Sequence, residues 1–149
     1  MIEIGNHTHG HWIAKATNAA FSPGVEICIS RSEQGKLLGG VIFGNYTGAS
    51  ACIDVAGFTP NWLSRNLLWL TFTYAFRQLG CRVLIGRLNS TNQKAIKFDT
   101  HIGFAEHSVI KDGVPNGDLI LLTMRKEDCK WLNLKPTNLR VYDHLKKAA

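Results

Sequence analysis

The chain has four cysteines, Cys28, Cys52, Cys81 and Cys129, and no two of them stand at a C-x-x-C spacing. That spacing marks zinc and thiol-redox motifs, so neither class is supported. Three of the four lie in strand-like apolar runs, where a free Cys behaves as a small hydrophobe. Buried reduced thiols are the reading, not a disulfide framework. No apolar run is long enough to span a membrane. The opening Met1-Ile2-Glu3-Ile4 has no basic segment leading into an apolar stretch, so it does not read as a secretory leader, and a cytoplasmic location is the default expectation. Repeats, low-complexity tracts and linkers are missing too. With 149 residues the chain is therefore read as one domain over residues 1–149, large enough to bury a core without staples.

Charge of one sign is modest. Lys and Arg number 17 against 11 Asp and Glu, for a formal net charge of +6. The basic residues are scattered, apart from Arg125-Lys126 and Lys146-Lys147, and do not interleave with aromatics on one face. No nucleic-acid or membrane partner is expected from such a distribution.

What the chain does have is an ordered series of patterned segments. Residues 9–19 suit a short helix. Val25–Ser30 and Leu37–Phe43 read as strands joined across Gly35, and Ala51–Phe58 reads as a third strand after Gly48. The segment from Trp62 to Leu79 is the longest apolar stretch, with Thr59 as cap, Pro60 in the first turn and Gly80 as stop. It is apolar on so much of its circumference that it is predicted to be a buried central helix. Cys81–Leu88 reads as a fourth strand. A second helix, capped by Ser90 or Thr91, runs from Asn92 to His101 and stops at Gly103, and Glu106–Lys111 and Asp118–Arg125 close the domain as a hairpin. A crossover helix between strands requires some parallel pairing. The fold class is thus α/β (α+β): a central mixed, mostly antiparallel sheet with helices on both faces. Residues 133–149 are expected to be a loosely packed tail, with Trp131 and Leu132 as possible anchors before it.

The segment Asn92-Gln93-Lys94-Ala95-Ile96-Lys97-Phe98-Asp99-Thr100-His101-Ile102-Gly103-Phe104 resembles a hallmark of the GNAT acetyltransferases: an Asn, an Ala three residues on, an apolar pair, and Gly-Phe at the helix end. The strand Leu119–Arg125 looks like that family's penultimate strand. The ending from Met124 to Leu132 is similar to that of a small subgroup common in bacteriophages. The resemblance covers roughly residues 25–132 in element order. It implies an acetyl-CoA-dependent N-acetyltransferase that acylates a primary amine, on a small molecule or a protein, by direct attack in a ternary complex. It also implies that the third strand near Val55 and Ala56 pairs with the pantetheine arm of acetyl-CoA, and that Asn92 lies near the cofactor. The pyrophosphate would meet the start of the long helix, where free N–H groups and the positive dipole end favour an anion. Ser64, Arg65 and Asn66 stand there. Most of the family has a glycine-rich turn at this helix start; counted back from Gly80, its glycines fall at Leu63 and Arg65, so Ser64 and Arg65 would have to compensate with side chains.

Amine acetylation needs a base to free the amine and a proton for the leaving thiolate. The family often places a carboxylate on the third strand. Asp54 sits there between Ile53 and Val55, either buried with a raised pKa or turned to solvent on the alternate face. The family's usual acid is a Tyr seven residues after the helix Asn. Here that position is Asp99, either an acid or a polar neighbour of the site with water as the proton source. Trp62 covers the cofactor or begins the buried helix face. His7, His9 and His11 alternate, which on a strand would suit a metal, but no Asp, Glu or Cys nearby completes a site. Two readings from other classes remain: a CoA-binding module that kept the fold and lost its chemistry, and a basic nucleic-acid-binding protein. An exposed sheet edge, or Trp131, could seed a homodimer.

Overall fold

The computed structural model describes residues 1–147. Strand β1 (Ile2–Ile4) and helix α1 (His7–Thr17) precede an antiparallel meander of β2 (Ile27–Glu33), β3 (Lys36–Gly44) and β4 (Ser50–Gly57). The β2–β3 turn has positive φ at both central residues, 49° at Gln34 and 78° at Gly35, as a two-residue hairpin requires. Helix α2 (Arg65–Thr73) then leads through a π-helical turn at Tyr74–Gln78 to β5 (Val83–Asn89). Helix α3 (Gln93–Ile102) and the hairpin of β6 (Ala105–Val114) and β7 (Gly117–Arg125) follow. Two short 3₁₀ turns over Lys126–Asp128 and Lys130–Asn133 precede β8 (Val141–Asp143) and α4 (His144–Lys147). The eight strands form one sheet in the order β6-β7-β5-β4-β3-β2-β1-β8, parallel only at β4–β5 and β1–β8. This is the mixed, mostly antiparallel sheet predicted, with helices on both faces. Among the described residues no helix is long and apolar enough to cross a membrane.

Strand alternation divides the core. One face of the meander carries Cys28 and Ile42, which pack with Ile13, Ala14 and Phe21 under α1. The other carries Ile29, Val41 and Ile53, which join Leu67, Phe72 and Phe76 of the α2 segment, Ile102 and Phe104 at the end of α3, and Leu122 and Met124 of β7. All four cysteines are buried and free, and burial pushes the Cys28 thiol up to about 12.

Gly40 is a place where the β2 backbone and the Ile13 side chain of α1 leave no space for a side chain. A Cβ there would lie 2.5 Å from the Ile29 carbonyl oxygen, 2.8 Å from Ser30 Cα and 2.9 Å from Ile13 Cδ1. Backbone cannot yield as a side chain can, so Gly40→Ala is expected to cost about 3 kcal/mol. Gly44→Ala on the same strand meets only Glu26 Cγ, at 3.3 Å, and is the control. Thermal melts of the two variants check this; equal melting temperatures would refute the close approach.

The structure departs from the sequence reading in several places. Helix α2 starts at Arg65, not Trp62, because Ser64 rather than Thr59 caps it, its side chain accepting from the Leu67 N–H at 3.1 Å. Helix α3 is capped by Asn92 itself, which accepts from the Ala95 N–H at 3.2 Å; the preceding turn is held by Asn89, which takes both the N–H and hydroxyl of Thr91. Of the expected loose tail, residues 133–147 are tied down, and residues 148 and 149 lie outside the described residues. β8 pairs in parallel with β1, Thr137 exchanges two hydrogen bonds with the Asn66 side chain, and His144 Nε2 meets Glu3 Oε1 at 2.9 Å. Trp131 is half-buried and donates its indole N–H to the Ile102 carbonyl at 2.6 Å, so its indole nitrogen is turned inward. The three alternating histidines lie on α1, where His9 does not share a face with His7 and His11. His9 turns inward to the Ser30 hydroxyl at 2.7 Å, while His7 and His11 pack on Phe21.

Candidate active site

β4 and β5 pair in parallel only through Ser50↔Val83, Ala51↔Leu84 and Cys52↔Ile85. Beyond that register they part: β4 continues along β3 to Gly57, and β5 continues along β7 to Asn89. The result is a fork in the middle of the sheet. The Phe58 N–H reaches the Leu38 carbonyl at 2.8 Å, so Phe58 faces β3. By the alternation of an antiparallel ladder, Ala56 and Asp54 also turn their backbone groups to β3, and Val55 and Gly57 turn theirs into the fork. Val55 thus offers an N–H and a C=O where no described strand pairs with them. Ala56, one residue on, spends its own on Gly40 and brings its side chain under α1.

The two acids singled out by sequence both lie at this fork, on opposite faces of the sheet. Asp54 points to the α1 face, two residues past the last β4–β5 pair, with a side chain 18% exposed. Burial raises its carboxyl above the usual range, and the cation of Arg87, 3.9 Å away, opposes that rise. Asp99 comes from α3 on the other face and is buried, with Oδ2 only 3.4 Å from where a Cβ on Gly86 would stand. A β-carbon at position 86 would meet the acid in ordinary van der Waals contact, which places Asp99 directly over the β5 backbone. Burial, with a smaller contribution from Asp54 across the fork, pushes the Asp99 carboxyl up to about 6. At neutral pH roughly a tenth of such a group is protonated, enough to serve as an acid that is re-formed each cycle.

The start of α2 is arranged differently from what side-chain compensation for a glycine turn would suggest. Arg31 of β2 donates to the carbonyls of Asn61 (2.6 Å) and Trp62 (3.0 Å) and so fixes the approach to the helix. The Ser64 oxygen is engaged as the cap, and the Asn66 amide is engaged by Thr137. Arg65 alone of the three is exposed. Asn92 is exposed at the N-terminus of α3, its carbonyl oxygen occupied by the cap.

Between the start of α2 and the fork lies a narrow apolar crevice lined by Val55, Trp62, Leu63, Leu68, Phe98 and Ile102. Trp62 stacks over Gly57 and Gly39, where any side chain would collide with its ring, and meets Phe98 with ring centroids 5.8 Å apart. Thr71 lines the same crevice, is 4% exposed, and its hydroxyl has no hydrogen-bond partner. A buried unpaired hydroxyl is costly, and a polar ligand group entering the crevice would satisfy it. Sequence reasoning missed Thr71 and Arg87, since nothing local distinguishes one core Thr or one strand Arg from others. No group of described residues forms a metal site.

No family model and no curated protein matches the chain in sequence. Solved structures do match in shape. A point mutant of the spermidine N-acetyltransferase SpeG from Vibrio cholerae aligns over 89% of this chain and 96% of its own, with a TM-score of 0.68 at 15% identity. The fold is that of the GNAT N-acetyltransferases. The N-acetyltransferase PseH of Campylobacter jejuni, solved in complex with acetyl coenzyme A, shares the acetyltransferase fold over 69% of this chain and 70% of its own, with a TM-score of 0.54 at 19% identity. The Vibrio enzyme has also been seen as a dodecamer, in a structure with a TM-score of 0.66 at 17% identity.

Proposed function

We propose that this chain is an acetyl-CoA-dependent N-acetyltransferase acting on a primary amine by direct attack in a ternary complex, of the small type found in bacteriophages. The observation that carries the reading is the pair of burial-raised carboxyls at the fork, one on each face of the sheet. A direct transfer needs a base on the side from which the amine arrives and an acid on the side where the thiolate leaves. In this reading Asp54 takes a proton from the ammonium, directly or through water. The freed nitrogen attacks the thioester carbonyl, the N–C bond forms and the C–S bond breaks. Asp99 gives its proton to the departing thiolate. Val55 holds the pantetheine arm through its fork-facing N–H and C=O, with Trp62 and Phe98 as walls and the Thr71 hydroxyl as an added partner. Arg65 and the free N–H groups at the start of α2 meet the pyrophosphate. The Campylobacter neighbour, which holds acetyl-CoA on the same fold, supports the choice of co-substrate.

Calorimetric titration with acetyl-CoA at physiological salt, with ATP as the phosphate-only control, tests this. One-site binding of acetyl-CoA with ATP much weaker is expected. No binding, or equal binding of the two, would overturn the reading. Binding with no transfer to a broad amine panel would favour a CoA-binding module without chemistry, for which the departure from a glycine turn at Leu63 and Arg65 and the Asp in place of the family's Tyr already speak.

A further inference from the structure

The α1 face of the fork carries a second charged group that the reaction above does not use. Arg87 stands two residues past Ile85 on β5, as Asp54 stands two residues past Cys52 on β4, and Cys52↔Ile85 is the last pair before the strands part. Both side chains therefore leave the sheet on the same face and at the same depth. They meet at 3.9 Å, the long end of an ion pair, and the Arg87 side chain is 42% exposed. No other described residue pairs with its guanidinium. Around it β7 supplies a half-buried floor: Leu121 lies opposite Arg87 and Thr123 opposite Ile85. Helix α1 packs on β2, β3 and β4 and leaves this part of the sheet open.

Resting on the acetyltransferase reading, we propose that the acceptor carries an anionic group beside its amine, as a free α-amino acid does, with the ammonium at Asp54 and the carboxylate at Arg87. In an α-amino acid the nitrogen and the nearer carboxylate oxygen lie about 3 Å apart by ordinary bond lengths. That spacing matches two opposite charges separated by 3.9 Å. A guanidinium offers a planar fork of donors suited to a carboxylate. A polyamine meets the reverse situation: with one amine at Asp54, a further cation is brought toward Arg87 and is repelled. The polyamine in the name of the Vibrio structural neighbour is thus an acceptor that this geometry selects against. As a purely structural tether, an exposed pair of this length contributes little.

The test compares kcat/KM for matched acceptors: L-phenylalanine against phenethylamine, L-leucine against isoamylamine, glycine against methylamine, and spermidine. A preference of at least tenfold for each amino acid over its decarboxylated partner is expected, carried mainly by KM, with spermidine poorest. Arg87→Gln should bring each matched pair within threefold, and Arg87→Lys should restore part of the preference. A thermal melt confirms that the variants fold, and the wild-type comparison needs no variant. Acetylation of amines and amino acids alike, or of neither by protein that binds acetyl-CoA, overturns the anion subsite. Loss of acetyl-CoA binding itself overturns the underlying reading.

Discussion

Asp99→Asn is expected to make the protein more stable and less active at once. The wild-type acid sits at about 6 in the fold, against 3.8 for a free Asp, chiefly through burial and secondarily through Asp54. The folded state therefore holds a proton that the unfolded chain releases between these values. Stability contributed by this group is fully present below pH 4 and is lost as pH rises toward 6. At pH 7.5 the ionised, desolvated carboxylate costs the fold up to about 3 kcal/mol, at about 1.4 kcal/mol per unit. An Asn carries no such charge, and its unmet hydrogen bonds offset part of the gain, so a net stabilisation of about 1–2 kcal/mol is expected at pH 7.5. At pH 3.5 the gain should vanish. Denaturant melts of both proteins at the two pH values measure it, and a difference that does not change with pH would show that Asp99 is not perturbed. Acyl transfer should fall by about a hundredfold or more, because Asn has no proton to give the thiolate.

That trade-off explains a feature of the sequence that looked unremarkable. Asp99 falls on the inner side of α3 only because the helix begins after the Asn92 cap and stops at Gly103, whose φ of 116° a side chain would not tolerate. The cap was read one or two residues early, at Ser90 or Thr91, and β1 was not read, but the stop at Gly103 and the order of elements from α1 through β7 were legible as local signals. The fork was not. Period-2 patterning identifies β4 and β5 as strands but carries no information about where two strands so far apart in sequence stop pairing. Arg87 gains meaning only from that register. In the sequence it is one more exposed cation of a basic chain. The tail was misjudged for a related reason: Val141–Asp143 is too short to show a period, and its partner β1 lies at the other end of the sequence. Asn66 was read as a cofactor ligand from its place at the helix start, whereas its amide is matched to the backbone of Thr137. Long-range pairings of this kind leave no local trace. Sequence reading singled out two acids, Asp54 and Asp99, whose elements meet at the fork, and the tertiary pairing decided which of the neighbouring polar groups are already engaged.

Asp54→Asn tests the other acid, and its effect should be confined to chemistry. The side chain is partly exposed and its one ion pair, to Arg87, is long, so the substitution should move the melting temperature by only a few degrees. The rate is another matter. An amine acceptor is overwhelmingly protonated at neutral pH, and a carboxylate that burial has raised toward that range is a better proton acceptor than a free Asp. Removing it should lower kcat/KM about 10²- to 10⁴-fold, the usual contribution of a positioned base. The pH profile gives a sharper signature. In the wild type, activity should rise with pH as Asp54 ionises, through a limb above the ordinary Asp value, because its folded pKa is raised. In Asp54→Asn that limb should disappear, leaving only the rise that follows deprotonation of the amine itself, so the variant should regain ground at high pH. An acceptor of lower intrinsic basicity should rescue it in the same way. If the variant keeps its activity within threefold near pH 7, Asp54 is only the partner of Arg87, and the proton must leave the amine through solvent at the open α1 face.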